Sequence, residues 1–186
     1  MIKVTLLGDS IRLIGYGTKV PELLGEEFEV FQPSDNCRYC KYTLRGLHDW
    51  KSDMEGSQIV HWNNGLWDNC NLIEDGIFTT EEEYVATMVR IASVLQKRYG
   101  KVIFATTTPV KPENEFNKNE TIVRYNAILV PKLREMGVII NDLHSLVASD
   151  IDRYVGEDTV HLSEEGILAC AQQVCDVIRT AAKELE

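Results

Sequence analysis

The chain contains no run of roughly 18 apolar residues, the length a membrane-spanning helix needs, so an integral membrane protein is not expected. Positive charge is scarce as well. Nineteen Lys and Arg stand against 29 Asp and Glu, a net charge of -10, and the basic residues form no cluster, which argues against nucleic-acid or anionic-membrane partners. The N-terminus lacks the basic segment, apolar core and small-residue cleavage site of an export signal, so a cytoplasmic location is expected. The five cysteines, Cys37, Cys40, Cys70, Cys170 and Cys175, are odd in number, and Cys37-x-x-Cys40 has no second pair of that spacing to complete a structural zinc site. Reduced thiols are expected, with no metal and no cofactor. Gly8, Gly15 and Gly17 have neither the Gly-x-Gly-x-x-Gly spacing nor a Walker lysine, which counts against nucleotide binding. No repeat, low-complexity tract or linker divides the 186 residues, so one domain spanning 1–186 is expected.

What is present is an alternation. Short β-rich runs at Lys3 to Leu7, Phe28 to Phe31, Gln58 to Trp62, Val102 to Thr106 and Val138 to Ile140 are separated by longer stretches of helical periodicity. The helical stretches are Tyr42 to Trp50, Glu81 to Tyr99, Asn119 to Met136 and Glu164 to Leu185. This order predicts an α/β fold, a parallel sheet of about five strands with helices on both faces. Thr80 and Ser163 precede acidic first turns as N-caps would. Gly100 and Gly137 stand between a helix and the next strand, where a left-handed cap conformation is commonly needed. Pro109 to Lys118 is polar and reads as a surface loop above the sheet.

Ligands of such sheets bind beyond the C-terminal ends of the strands, and four short motifs converge there. Gly8-Asp9-Ser10-Ile11 follows the first strand, Ser34-Asp35-Asn36-Cys37-Arg38 the second and His61-Trp62-Asn63-Asn64-Gly65 the third, while Asp158-Thr159-Val160-His161 precedes the last helix. A serine hydroxyl is a weak nucleophile unless an imidazole takes its proton and a carboxylate orients that imidazole. Ser10, His161 and Asp158 supply the three groups. Asn63 can add a side-chain amide to an oxyanion hole, beside the backbone N–H of Ser10. His48, His61 and His144 are weaker candidates for the base, and Asp142 competes with Asp158 but reads better as a helix cap.

These residues resemble the SGNH, or GDSL-type, serine hydrolases, a superfamily of esterases and acylhydrolases, and the resemblance spans nearly the whole chain. It implies a three-layer α/β/α sandwich of flavodoxin-like type, with Ser10, Asp158 and His161 as triad and Ser10, Asn63 and a residue after the second strand as oxyanion donors. The third block, usually Gly-x-Asn-Asp, reads His61-Trp62-Asn63-Asn64 and keeps the asparagine. The second block has no glycine in the loop after the strand, so Cys37 is the expected backbone donor, with Gly46 as its rival. The resemblance implies hydrolysis of a small-molecule carboxylic ester, and the compact chain without an evident lid insertion points to a short acyl group, such as O-acetyl on a carbohydrate. An acyl thioesterase and a ligand-binding member without turnover are the alternatives; oligomeric state has no signature in the sequence.

Overall fold

The computed structural model describes residues 1–185. Its five strands, β1 (Ile2–Leu7), β2 (Phe28–Phe31), β3 (Ile59–Trp62), β4 (Lys101–Ala105) and β5 (Ile139–Asn141), form one parallel sheet in the order β2-β1-β3-β4-β5. The chain crosses from β1 outward to β2 and then back past β1 to β3, so connections leave β1 in opposite directions. That reversal opens a crevice at the C-terminal ends of β1 and β3, where Leu7 stands opposite Trp62 in register.

Successive side chains of a strand point to opposite faces, and here both faces are apolar. Val4, Leu6, Ile59, Ile103 and Ala105 face one core, shared with α1 (Val20–Leu24), α5 (Leu143–Ala148) and α7 (Glu164–Ala182). Leu7, Val60, Trp62, Val102 and Phe104 face the other, covered by α2 (Cys40–Asp49), α3 (Glu81–Arg98) and α4 (Asn119–Glu135). A one-turn α6 (Ile151–Tyr154) leads to the segment before α7. The result is the expected α/β/α sandwich. The inner strands β3 and β4 run without polar alternation, as strands covered on both sides require, whereas the edge strand β2 keeps Glu29 exposed.

The expected caps form: Thr80 Oγ1 accepts from Glu83 N–H at 3.3 Å and Ser163 Oγ from Gly166 N–H at 3.1 Å. Asp142 caps α5 by accepting from Ser145 N–H at 3.1 Å. The two glycines differ in their reasons. Gly137 has φ of 80°, the left-handed conformation anticipated for it. Gly100 does not; a Cβ there would lie 2.2 Å from the Gln58 carbonyl oxygen, so close backbone approach, not a left-handed cap, demands the glycine.

Candidate active site

Ser10 is the first helical residue after β1, with φ of -61° and ψ of -26°. The chain then widens into a π-helical turn at Ile11–Gly15, a form that recurs at functional sites. The first N–H groups of such a turn have no partner within it, which leaves the Ser10 amide available at the crevice. Asp9 is buried beneath the turn, and its Oδ1 accepts from Ile11 N–H at 3.0 Å and from Asn63 Nδ2 at 2.9 Å. Burial raises its carboxyl above the ordinary range, opposed by the hydrogen bonds from Asn63 and Ile11 and by the charge of Arg12.

Asn63 follows β3 and is held at both ends of its amide: Nδ2 by Asp9, and Oδ1 by the Tyr16 hydroxyl, which donates to it at 2.7 Å. The two contacts fix which end is oxygen and which is nitrogen. A Cβ at residue 8 would lie 2.0 Å from Asn63 Oδ1, which is why glycine precedes Asp9. Tyr16 is fully buried and meets the ring of His61 edge-on, with centroids 5.5 Å apart.

Arg12 is wholly buried, and its guanidinium donates to the carbonyl oxygens of Gly8 at 3.1 Å, Pro33 at 2.7 Å and Asp35 at 2.7 Å. It stitches the loop after β1 to the loop after β2. The same seam engages the Cys37 N–H, which donates to Gly8 O at 3.0 Å, while the Cys37 thiol is buried against Arg12. The expectation of Cys37 as a backbone oxyanion donor is therefore corrected, because its N–H already has a partner. Gly46 does not replace it; it lies inside α2, where the ring of Trp50 occupies the place of a Cβ at 2.2 Å. Asn36 is the residue of this loop that reaches the cavity beside Ser10.

Asp158 and His161 sit in a tight turn closed by Gly156 N–H donating to His161 O at 2.7 Å. Asp158 Oδ1 accepts from the backbone N–H of Val160 at 3.1 Å and of His161 at 2.9 Å, and Oδ2 lies 2.7 Å from His161 Nδ1. Partial burial pushes the Asp158 carboxyl up, but these hydrogen bonds outweigh it and hold the group below its usual range. An ionised Asp158 keeps the imidazole proton on Nδ1 and leaves Nε2 as the free base nitrogen. Between the two, Thr159 has φ of 71°, an unfavourable conformation for a β-branched residue. It is pinned there by Asn114 Nδ2 donating to Thr159 Oγ1 at 2.8 Å and by Lys111 N–H donating to Thr159 O at 2.9 Å.

Ser10 and His161 line one cavity of about 320 Å³, with Asn36 at one side and Leu66, Trp67 and Phe116 at the other. The structure thus brings Ser10, Asp158, His161 and Asn63 to one edge of the sheet. The rival histidines stand elsewhere: His48 is on α2, His144 opens α5, and His61 is buried in β3 beside Asn141 Nδ2 at 3.1 Å, with burial pushing its pKa down to about 3. All five cysteines are free and buried, and among the described residues no group of His, Cys, Asp and Glu is arranged to hold a metal. No described helix is long and apolar enough to cross a membrane. Residues 109–118, expected as a polar surface loop, are partly interior; Asn114 and Asn117 are buried and hydrogen-bonded. Asp9, Arg12 and Tyr16 were not anticipated. The one sequence signal for Arg12 is a charge embedded in Ile11-Arg12-Leu13-Ile14, where a solvated side chain has no place.

No protein-family model matches the chain, and neither does any curated protein sequence. Solved structures do match. An acetyl xylan esterase superposes with a TM-score of 0.80 at 20% identity, over 95% of this chain and 100% of that one. A lipase/acylhydrolase from Enterococcus faecalis gives 0.81 at 18% identity, over 97% and 96%. A GDSL-like lipase from Bacteroides thetaiotaomicron gives 0.72 at 17%, over 96% and 88%. At such identities the likeness is one of fold, and the chain accordingly has the SGNH/GDSL hydrolase fold.

Proposed function

We propose that the protein is a serine hydrolase that cleaves a carboxylic ester with a short acyl group. The observation that carries this reading is the Asp158–His161 pair at 2.7 Å opening onto the same cavity as Ser10. Ser10 Oγ attacks the ester carbonyl carbon while His161 Nε2 takes its proton. The carbonyl electron pair moves onto oxygen, which the Ser10 N–H and Asn63 Nδ2 stabilise. As the carbon–oxygen bond to the alcohol breaks, His161 returns the proton to the leaving alkoxide. Water then attacks the acyl-serine with His161 as base, releasing the acid and restoring the hydroxyl. No step calls for a metal or cofactor. Acetyl is the acyl group favoured by the structural neighbours, which include acetyl xylan esterases.

The test is reaction with a fluorophosphonate probe, followed by peptide mapping of wild type, Ser10→Ala and His161→Ala. The expected result is an adduct on Ser10 of the wild type, absent from Ser10→Ala and strongly slowed in His161→Ala. A folded wild type that takes no adduct refutes the proposal and favours a ligand-binding role for the site.

A further inference from the structure

The far wall of the cavity is apolar. Leu66, Trp67 and Leu72 come from the segment after β3, Phe116 from the β4–α4 loop, and Val160 from the turn beside His161. The polar side chains among them are already engaged with the protein. Asn117 Nδ2 donates to Leu66 O and to Asn69 Oδ1, both at 2.8 Å. Asn114 donates to Thr159 Oγ1 at 2.8 Å, while its Oδ1 accepts from the N–H groups of Phe116 at 3.1 Å and Asn117 at 2.7 Å. The Cys70 thiol donates to Trp67 O at 3.1 Å. Among these polar groups Asn36 and Asn117 Oδ1 keep capacity to spare, yet a polyhydroxylated group entering this wall would lose water from more hydroxyls than find a replacement partner, a cost an apolar group avoids.

The position of the cavity says which half of the ester it receives. The leaving oxygen must come within hydrogen-bond reach of His161, which returns its proton. His161 and Val160 line the cavity, whereas Asn63, on the oxyanion side, does not. A group attached to a leaving oxygen at His161 has this cavity open to it. A volume of about 320 Å³ lies at the small end of ligand sites, roughly 300–1,000 Å³, and far exceeds the need of an ethyl group.

We infer that this cavity is the alcohol subsite and that it selects esters of apolar alcohols, alkyl or arylalkyl, with Trp67 and Phe116 as specificity-determining walls. The inference rests on the hydrolase reading above and adds the alcohol to it. The experiment measures kcat/KM for ethyl, n-hexyl and benzyl acetate and for mono-acetylated xylobiose, with ethyl hexanoate as the acyl-side control. Hexyl and benzyl acetate should exceed ethyl acetate by on the order of 30-fold, as burial of several methylenes implies, and the sugar acetate should not. Trp67→Ala and Phe116→Ser, at positions 37% and 49% exposed, should each cut the hexyl-to-ethyl ratio about fivefold or more.

A flat alcohol series, a preference for the sugar acetate, or a gain for ethyl hexanoate equal to that for hexyl acetate overturns the inference. Fluorophosphonate labelling of the same samples separates the two levels. A labelled Ser10 with a flat series removes the alcohol subsite alone, whereas no label and no turnover of any ester removes the hydrolase reading and this inference together.

Discussion

Tyr16→Phe deletes one oxygen and tests how the oxyanion side of the site is held. The Tyr16 hydroxyl donates to Asn63 Oδ1 at 2.7 Å within the core, and the ring is otherwise retained. A buried acceptor stripped of its donor costs about 1–3 kcal/mol, so the folded state should lose stability of that order. The effect on catalysis travels through Asn63. An oxyanion donor is worth roughly 3–4 kcal/mol, and Asp9 still anchors Nδ2 at 2.9 Å, so only part of that is forfeited. Loss of about a third, roughly 1.0–1.3 kcal/mol, is about a five- to tenfold fall in kcat. KM should stay within about twofold, because the charge that Asn63 faces exists in the transition state and not in the bound ester. Steady-state kinetics on a short-chain acetate ester, beside a thermal melt and the affinity for a boronic acid that mimics the tetrahedral intermediate, read all three quantities. Asn63→Ala, expected to lose about 100-fold or more, gives the ceiling. A variant that melts earlier but keeps full kcat and full boronate affinity would refute the reasoning and leave Asp9 as the sole determinant of the amide's orientation.

At Thr159, held at φ of 71°, glycine and valine both lose the hydrogen bond from Asn114 but only glycine relieves the backbone strain, so Thr159→Val should be less stable than Thr159→Gly by about 1–3 kcal/mol in denaturant titration. The opposite order would show that the conformation costs nothing. Two buried groups set opposing acid responses. His61 titrates at about 3 in the fold against 6.5 unfolded, so the unfolded chain takes its proton first and stability is lost as pH falls from about 6.5 to 3. Asp68, which burial raises to about 6 from 3.8, is protonated first in the fold, so it adds stability as pH falls from about 6 to 3.8. Each slope is about 1.4 kcal/mol per pH unit, and the two offset over that window. Asp68→Asn should therefore make the stability of the protein fall more steeply between pH 6 and 4 than that of wild type, and parallel curves would contradict the assignment.

The sheet was legible because its strands are buried on both faces: Ile59-Val60-His61-Trp62 and Val102-Ile103-Phe104 have no polar alternation, which only a doubly covered parallel sheet allows. The places of Ser10, Asp158 and His161 in the fold were legible because Gly-Asp-Ser directly follows β1 and Asp-x-x-His stands just before α7. Less could be read where function runs through the backbone. Cys37 N–H is engaged by Gly8 O, a contact that depends on two loops meeting and leaves no trace in either motif. Gly100 was read as a conformational glycine, whereas its role is to let the chain pass Gln58, a fact of tertiary approach. Tyr16 is equally silent, since a tyrosine among apolar residues looks like core until the partner of its hydroxyl is known.

The buried Arg12 clasp makes the two sides of the cleft mechanically unlike. On one side a single guanidinium locks three carbonyls of two loops, and Ser10, the proposed nucleophile, rides on that fixed block. On the other, Trp67, Leu72 and Phe116 protrude from connecting segments with a third or more of each side chain in solvent. In the proposed hydrolase the chemistry is thus carried by a chassis that tolerates little change, and selectivity by a replaceable jaw. Redesign for new esters has a natural seam: substitutions at the exposed positions 67, 72 and 116 can be explored freely, while Lys in place of Arg12, with one ammonium where a planar fork is needed, would disable turnover on every substrate alike.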